Sequence, residues 1–124
     1  MKTSNNILHQ EENVLTKAVS NVAKFYSLTG KDLSKIIGIS ESSASRISQG
    51  TKLISPHTKE GEMALLLLRV YRSLNAMVGN NHEKAKLWLN SQNKYFRNTP
   101  IEEIKTIPGL IGVLNYLDAM RGKL

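Results

Sequence analysis

At 124 residues the chain can form one compact domain or two very small ones, and the absence of cysteine excludes a disulfide scaffold, a thiolate zinc site and a cysteine nucleophile. Its 40% hydrophobic and 22% charged residues suit an ordinary soluble fold, and its net charge of +7 suits a polyanionic partner. The basic excess is confined to residues 1–98, with 14 Lys/Arg against 7 Asp/Glu, whereas residues 99–124 carry 3 of each.

The opening MKTSNNILHQEEN lacks the apolar run of a signal peptide, and no stretch approaches the roughly 20 apolar residues of a membrane span. A cytoplasmic protein with no membrane association is expected. Residues 1–10 are polar and read as a flexible N-terminus. From Glu11 to Phe25 the spacing of Val14, Leu15, Ala18, Val19, Val22 and Phe25 predicts an amphipathic helix with one buried stripe.

Thr29 and Asp32 then form a capping-box pattern, with Leu28 placed to staple onto Leu33. A short second helix follows through Ile37, facing Leu33, Ile36 and Ile37 inward. Gly38 supplies the positive φ that ends it, Ile39 plugs the core and Ser40 caps a third helix running to about Gln49. Two short helices around a glycine-containing turn make a helix-turn-helix. The string Gly38-Ile39-Ser40-Glu41-Ser42-Ser43-Ala44-Ser45-Arg46-Ile47 resembles the turn and recognition helix of the Xre/repressor-like families. Ser34 and Ala44 depart from the pattern, where alanine and a larger aliphatic are usual.

A helix laid in the major groove reads bases from near its N-terminus. Ser40, Ser42, Ser43 and Ser45 are short donors and acceptors that permit close approach, and Arg46 can contact guanine or phosphate. Lys31, Lys35 and Lys52 would flank the groove as backbone contacts. These eight residues are the expected DNA-binding set, with operator DNA as partner. Glu41 is awkward in such a groove.

Next, Ser55 and Pro56 read as the cap and first position of a further segment. The pattern from Glu60 to Val78, including Leu65-Leu66-Leu67-Leu68, predicts a long helix apolar on more than one stripe, either central or shared with a partner. Gly79-Asn80-Asn81 is a turn. The segment His82–Leu89 is helical, with Trp88 in core packing. His82-Glu83 lacks the second histidine of the zinc-protease motif, Lys86 standing there instead. His9, His57 and His82 are widely spaced and read as surface residues. No catalytic grouping, metal set or phosphate loop emerges, so no enzyme activity, cofactor or metal is expected.

Thr99-Pro100-Ile101-Glu102 starts a short helix through Ile104. A last helix, introduced by Thr106-Ile107-Pro108-Gly109, carries Leu110, Ile111, Val113, Leu114, Leu117 and Met120 at helical spacing. Gly109 and Gly112 allow close helix contact near its start, and Gly122 ends it.

The series Glu83-Lys84-Ala85, Trp88-Leu89-Asn90, Thr99-Pro100, Thr106, Gly109, Val113, Leu117 and Arg121-Gly122 resembles the C-terminal domain of the MbcA/ParS/Xre antitoxins. Arg97-Asn98 stands where that family commonly has a glycine before the Thr-Pro pair. The resemblance covers roughly Val14 to the end. It implies an all-α chain: an Xre-like helix-turn-helix bundle with a long connecting helix (11–78) and a small helical toxin-binding and dimerisation domain (79–124). It further implies a type II antitoxin that binds a cognate RES-domain toxin, an NAD-depleting enzyme, at its active-site entrance. Such antitoxins form homodimers and repress their own operons. Carried onto this chain, Tyr116, Arg121, Gly122, Lys123 and Leu124 are the expected toxin-binding residues. Two other readings use the same front half: a stand-alone transcriptional regulator without a toxin, and an adaptor whose helix-turn-helix has lost DNA binding.

Overall fold

The computed structural model describes the backbone of residues 2–123 and the side chains of residues 6–123, so Leu124 lies outside the described residues. The described residues form seven helices and no strand: α1 (Lys2–Phe25), α2 (Gly30–Ile37), α3 (Glu41–Gln49), α4 (Lys59–Met77), α5 (His82–Asn90), α6 (Pro100–Glu103) and α7 (Ile107–Arg121). The all-α expectation holds.

The long helix α4 organises the rest. It packs on α1 and α2 in the first half and on α7 and α5 in the second. Its Ala64, Leu67, Val70 and Leu74 are fully buried. They join Leu15, Val19 and Val22 of α1, Leu33, Ile36 and Ile37 of α2, and Leu110, Val113, Leu114 and Leu117 of α7 in one apolar cluster. Helix-turn-helix and C-terminal domain thus share a core along α4.

Local signals account for most boundaries. The capping box is present: Asp32 N–H donates to Thr29 Oγ1 and Thr29 N–H to the Asp32 carboxylate, each at 3.0 Å. Gly38 takes φ 76° and Gly50 φ 78° at the ends of α2 and α3, where an L side chain would be strained. Ser40 caps α3 by accepting from Ser43 N–H at 3.1 Å.

Several expectations are corrected. The first helix begins at Lys2 rather than near Glu11, so residues 2–10 belong to it. No glycine or proline interrupts them, and Ile7 continues the face of Val14. The buried stripe of α1 is rotated from the one expected. Val14 is 70% and Phe25 40% exposed, while Ala23 and Tyr26 are buried. The cap of α4 is Thr58, which accepts from Gly61 N–H; Ser55 and Pro56 form a non-helical turn. That turn crosses α4 so closely that a Cβ on Gly61 would collide with the Ser55 carbonyl. Gly109 is likewise required, against the Glu103 carbonyl, but Gly112 faces open space and makes no such contact. Thr99 gives α6 no side-chain cap, and Gly122 ends α7 in right-handed geometry.

Polar ties join the two ends of the molecule. The Tyr26 hydroxyl, in the turn that follows α1, donates to Asn75 Oδ1 of α4 at 3.0 Å, and burial, aided by Tyr71, pushes its phenol well up. Lys105, between α6 and α7, pairs with Asp32 of α2 at 3.1 Å. Partial burial pushes the Asp32 carboxyl up. The Thr29 N–H, the Lys105 ammonium and the Thr29 side chain together outweigh that and hold it below the usual carboxylate value. A depressed native pKa contributes stability that is present above the unfolded pKa and lost as pH falls through the native one. Asp32→Ala is therefore expected to lower stability by about 1 kcal/mol at neutral pH, the usual worth of a cap. Urea titrations should show the deficit shrinking in acid; a deficit constant across that range would exclude the ionised carboxylate as its source.

Candidate functional site

The turn between α2 and α3 is built by backbone bonds to one carbonyl. Ser34 O accepts from Gly38 N–H at 2.9 Å and from Ile39 N–H at 3.0 Å. Ala44 and Ile47 anchor α3 inward with essentially no exposure, and Ile39 is half-buried. From α1, Ser20 donates to the Ile47 carbonyl at 3.5 Å and Thr16 accepts from Ile54 N–H at 2.7 Å. The recognition helix is held from behind, and its opposite face is open.

That open face carries Ser40, Glu41, Ser42, Ser45, Arg46 and Gln49, all exposed, with Lys31 and Lys35 exposed on α2. Ser40 and Ser42 hydroxyls lie 3.2 Å apart, and Gln49 donates to Ser45 Oγ at 3.4 Å. Ser43 is the exception among the expected residues: it is buried and does not reach the open face. Its position on α3, one before Ala44, turns it toward the protein. Its hydroxyl instead accepts from the Lys52 ammonium at 3.1 Å and from the Arg46 guanidinium at 3.4 Å. Two cations thus share one neutral acceptor, and neither pairs with a carboxylate among the described residues. Such a pair is predisposed to a phosphate, whose oxygens accept from both at once.

At the other end, Tyr116 is half-buried within an aromatic group. Its ring centroid lies 4.8 Å from Tyr95, 5.3 Å from Phe96 and 6.2 Å from Trp88. Trp88 is in this group, half-buried against the core. Tyr95 is 70% exposed, on a tight 93–98 loop closed by the Asn93–Asn98 bridge. Arg97 holds φ 58° there, so the left-handed conformation that a glycine would adopt easily is supplied by an arginine. Arg121 is exposed and donates to Ser73 Oγ at 3.4 Å. The Ser73 hydroxyl donates in turn to Asp118 at 2.6 Å, and Arg69 lies 3.7 Å from the same carboxylate. With Arg72, these residues line a cleft of three guanidiniums around one acid. Gly122 and Lys123 are exposed beside it.

Tyr95, Arg69 and Arg72 were not singled out by sequence. The available signals were two adjacent aromatics flanked by cations in Lys94-Tyr95-Phe96-Arg97 and two arginines three apart on one helix face. His82 was expected on the surface. It is half-buried, stacks on Phe25 at 4.1 Å and meets the Tyr71 hydroxyl at 3.1 Å. No group of acids and histidines among the described residues could hold a metal ion, and no described helix is long and apolar enough to cross a membrane.

Two family models match the chain. The antitoxin Xre-like helix-turn-helix domain matches residues 7–69, and the antitoxin Xre/MbcA/ParS C-terminal toxin-binding domain matches residues 73–123. No match was found among curated proteins. Neither matched domain is an enzymatic family. An open recognition helix at one end and a toxin-binding domain at the other, matched in that order over nearly the whole length, place the chain in the Xre/MbcA/ParS antitoxin family.

Proposed function

We propose that this antitoxin belongs to a cytoplasmic type II toxin–antitoxin pair. It neutralises a RES-domain toxin that depletes NAD⁺ by covering its active-site entrance, and as a homodimer it represses its own operon. Residues 11–78 serve DNA, residues 79–124 serve the toxin, and residues 1–10 precede both. The observation that carries the reading is the toxin-binding domain match placed directly behind an unobstructed recognition helix.

On the DNA side, Ser40, Ser42, Ser45 and Arg46 approach the bases, while Lys31, Lys35 and Lys52 contact phosphates. Ser43 acts indirectly, holding Lys52 and Arg46 together. On the toxin side, Tyr116, Arg121, Gly122, Lys123 and Leu124 meet the partner. The exposed aromatic Tyr95, its ring tilted against that of Tyr116, supports an anchored interface of the kind in which tyrosine and arginine dominate.

The test is co-expression with the product of the neighbouring reading frame, reading growth and cellular NAD⁺. The full chain should protect both. A chain lacking residues 121–124 should lose protection yet still shift its upstream DNA. The last buried residue of α7 is Leu117 and Arg121, Gly122 and Lys123 are exposed, so among the described residues the deletion removes no buried side chain. Full protection by the truncated chain would exclude the terminal residues as the blocking element. A neighbouring product that is harmless and leaves NAD⁺ unchanged would favour the stand-alone regulator.

A further inference from the structure

We propose that the cleft between α4 and α7 receives an acidic segment of the toxin, whose carboxylates pair with Arg72 and Arg121. This rests on the toxin-neutralising reading and deepens it by giving the chemistry of the surface the partner presents.

Two helices supply the cleft at matching spacings. Arg69, Arg72 and Ser73 stand three and four positions apart on α4, and Asp118, Arg121 and Gly122 repeat that spacing on α7, so each set shares one helix face. The floor is held by Ser73, only 2% exposed, whose hydroxyl accepts from Arg121 at 3.4 Å and donates to Asp118 at 2.6 Å. Asp118 in turn answers Arg69 at 3.7 Å. Its charge is therefore spent inside the cleft. Arg72 meets no carboxylate among the described residues, and Arg121 meets only the neutral Ser73 oxygen. None of Glu83, Glu102 and Glu103, the other acids of the C-terminal half, lines the cleft. Three guanidiniums against one acid leave two positive charges in excess. Like charges that neighbour on one helix face, as Arg69 and Arg72 do, also repel, and an anion between them relieves that cost.

Position identifies the occupant. Ser73, Asp118, Arg121 and Gly122 fall within the matched toxin-binding domain, and Arg72 immediately precedes it. Arg121 and Gly122 also open the segment assigned above to the toxin's active-site entrance, so a toxin held there covers the cleft. Covering it takes Arg72 and Arg121 out of water. A guanidinium buried without an anion is strongly unfavourable, so the partner must bring the negative charge. Carboxylates match the guanidinium fork with two parallel bonds each. The cleft encloses about 420 Å³, more than ten times the roughly 30 Å³ share of one water, which is room for side chains rather than a single ion.

The test is calorimetric titration of the full chain with the purified product of the neighbouring reading frame. Arg72→Glu should weaken binding by at least about tenfold, and Arg72→Lys by less, because lysine keeps the charge and loses the fork. Lys84→Glu makes the same change in net charge at an exposed site outside the cleft and should alter affinity by about twofold at most. Arg72 is exposed and has no ion pair among the described residues, and circular dichroism verifies that the variants stay folded. Exposed acids of the toxin are then changed singly to Arg. At least one such toxin should bind wild type weakly and recover its affinity with Arg72→Glu. Undiminished binding by Arg72→Glu, an equal loss in Lys84→Glu, or no toxin variant that recovers would each overturn the cleft assignment while leaving the toxin reading intact. Inorganic diphosphate binding to the free chain through Arg72, with toxin affinity unchanged in Arg72→Glu, would make this a small-anion site and overturn it too. A wild-type chain that does not bind the neighbouring product would sink the toxin reading and this assignment together.

Discussion

Arg46→Ala is expected to reduce operator affinity by roughly 30-fold or more while leaving toxin neutralisation unchanged. The guanidinium is exposed on the open face of α3, and its one contact is a long bond to Ser43, so its loss should not alter the fold. A good base contact is worth about 1–3 kcal/mol, and a dimer loses it twice. If Arg46 instead binds phosphate, affinity falls evenly across sequences and the salt dependence flattens by about one ion per site. A gel-shift on the upstream region at two salt concentrations separates these cases. A folded variant that loses both activities would refute the division of labour between the two ends. Glu41 is the residue that makes this measurement informative, since it stands exposed at the start of the same helix and opposes phosphate.

The parts of this molecule legible in the sequence are those governed by local rules. The Thr29–Asp32 box, the Ser40 cap and the left-handed Gly38 and Gly50 are each decided within a few residues, and each stands where the pattern put it. The errors arise where a tertiary neighbour decides. Val14 and Leu15 are adjacent aliphatics, and only the position of α4 determines that Leu15 is buried and Val14 is not. Ser43 looks like its serine neighbours until Lys52, nine positions on, folds back to it. Ser55-Pro56 carries a sound helix-start pattern, yet the backbone there turns beneath Gly61, and the cap passes to Thr58. The aromatic group of the C-terminal domain is of the same kind. Trp88, Tyr95 and Tyr116 come from a helix, a loop and another helix, and no spacing rule joins them. The family pattern found that end of the molecule by its ordered residues, without the geometry that brings them together.

Leu67→Ala is expected to destabilise the whole chain in a single transition and to impair DNA binding and toxin binding together. Leu67 has no exposure and sits on the helix that packs against both halves. Removing its three outer carbons leaves a cavity that costs about 2–5 kcal/mol. Domains of this size have only about 5–15 kcal/mol to lose, so the variant should unfold markedly earlier in heat or urea. Because the apolar cluster runs unbroken from Leu15 through α4 to Leu117, and Lys105 reaches across to Asp32, the two functional halves have no separate cores in which to survive. Far-ultraviolet dichroism and the fluorescence of Trp88, in the C-terminal half, should therefore report coincident transitions. Two separated transitions, with Trp88 signal lost independently of helicity in residues 11–78, would show that α4 links two folding units rather than one. Coincidence would mean that toxin binding at one end, by stabilising the shared core, also stabilises the recognition helix at the other.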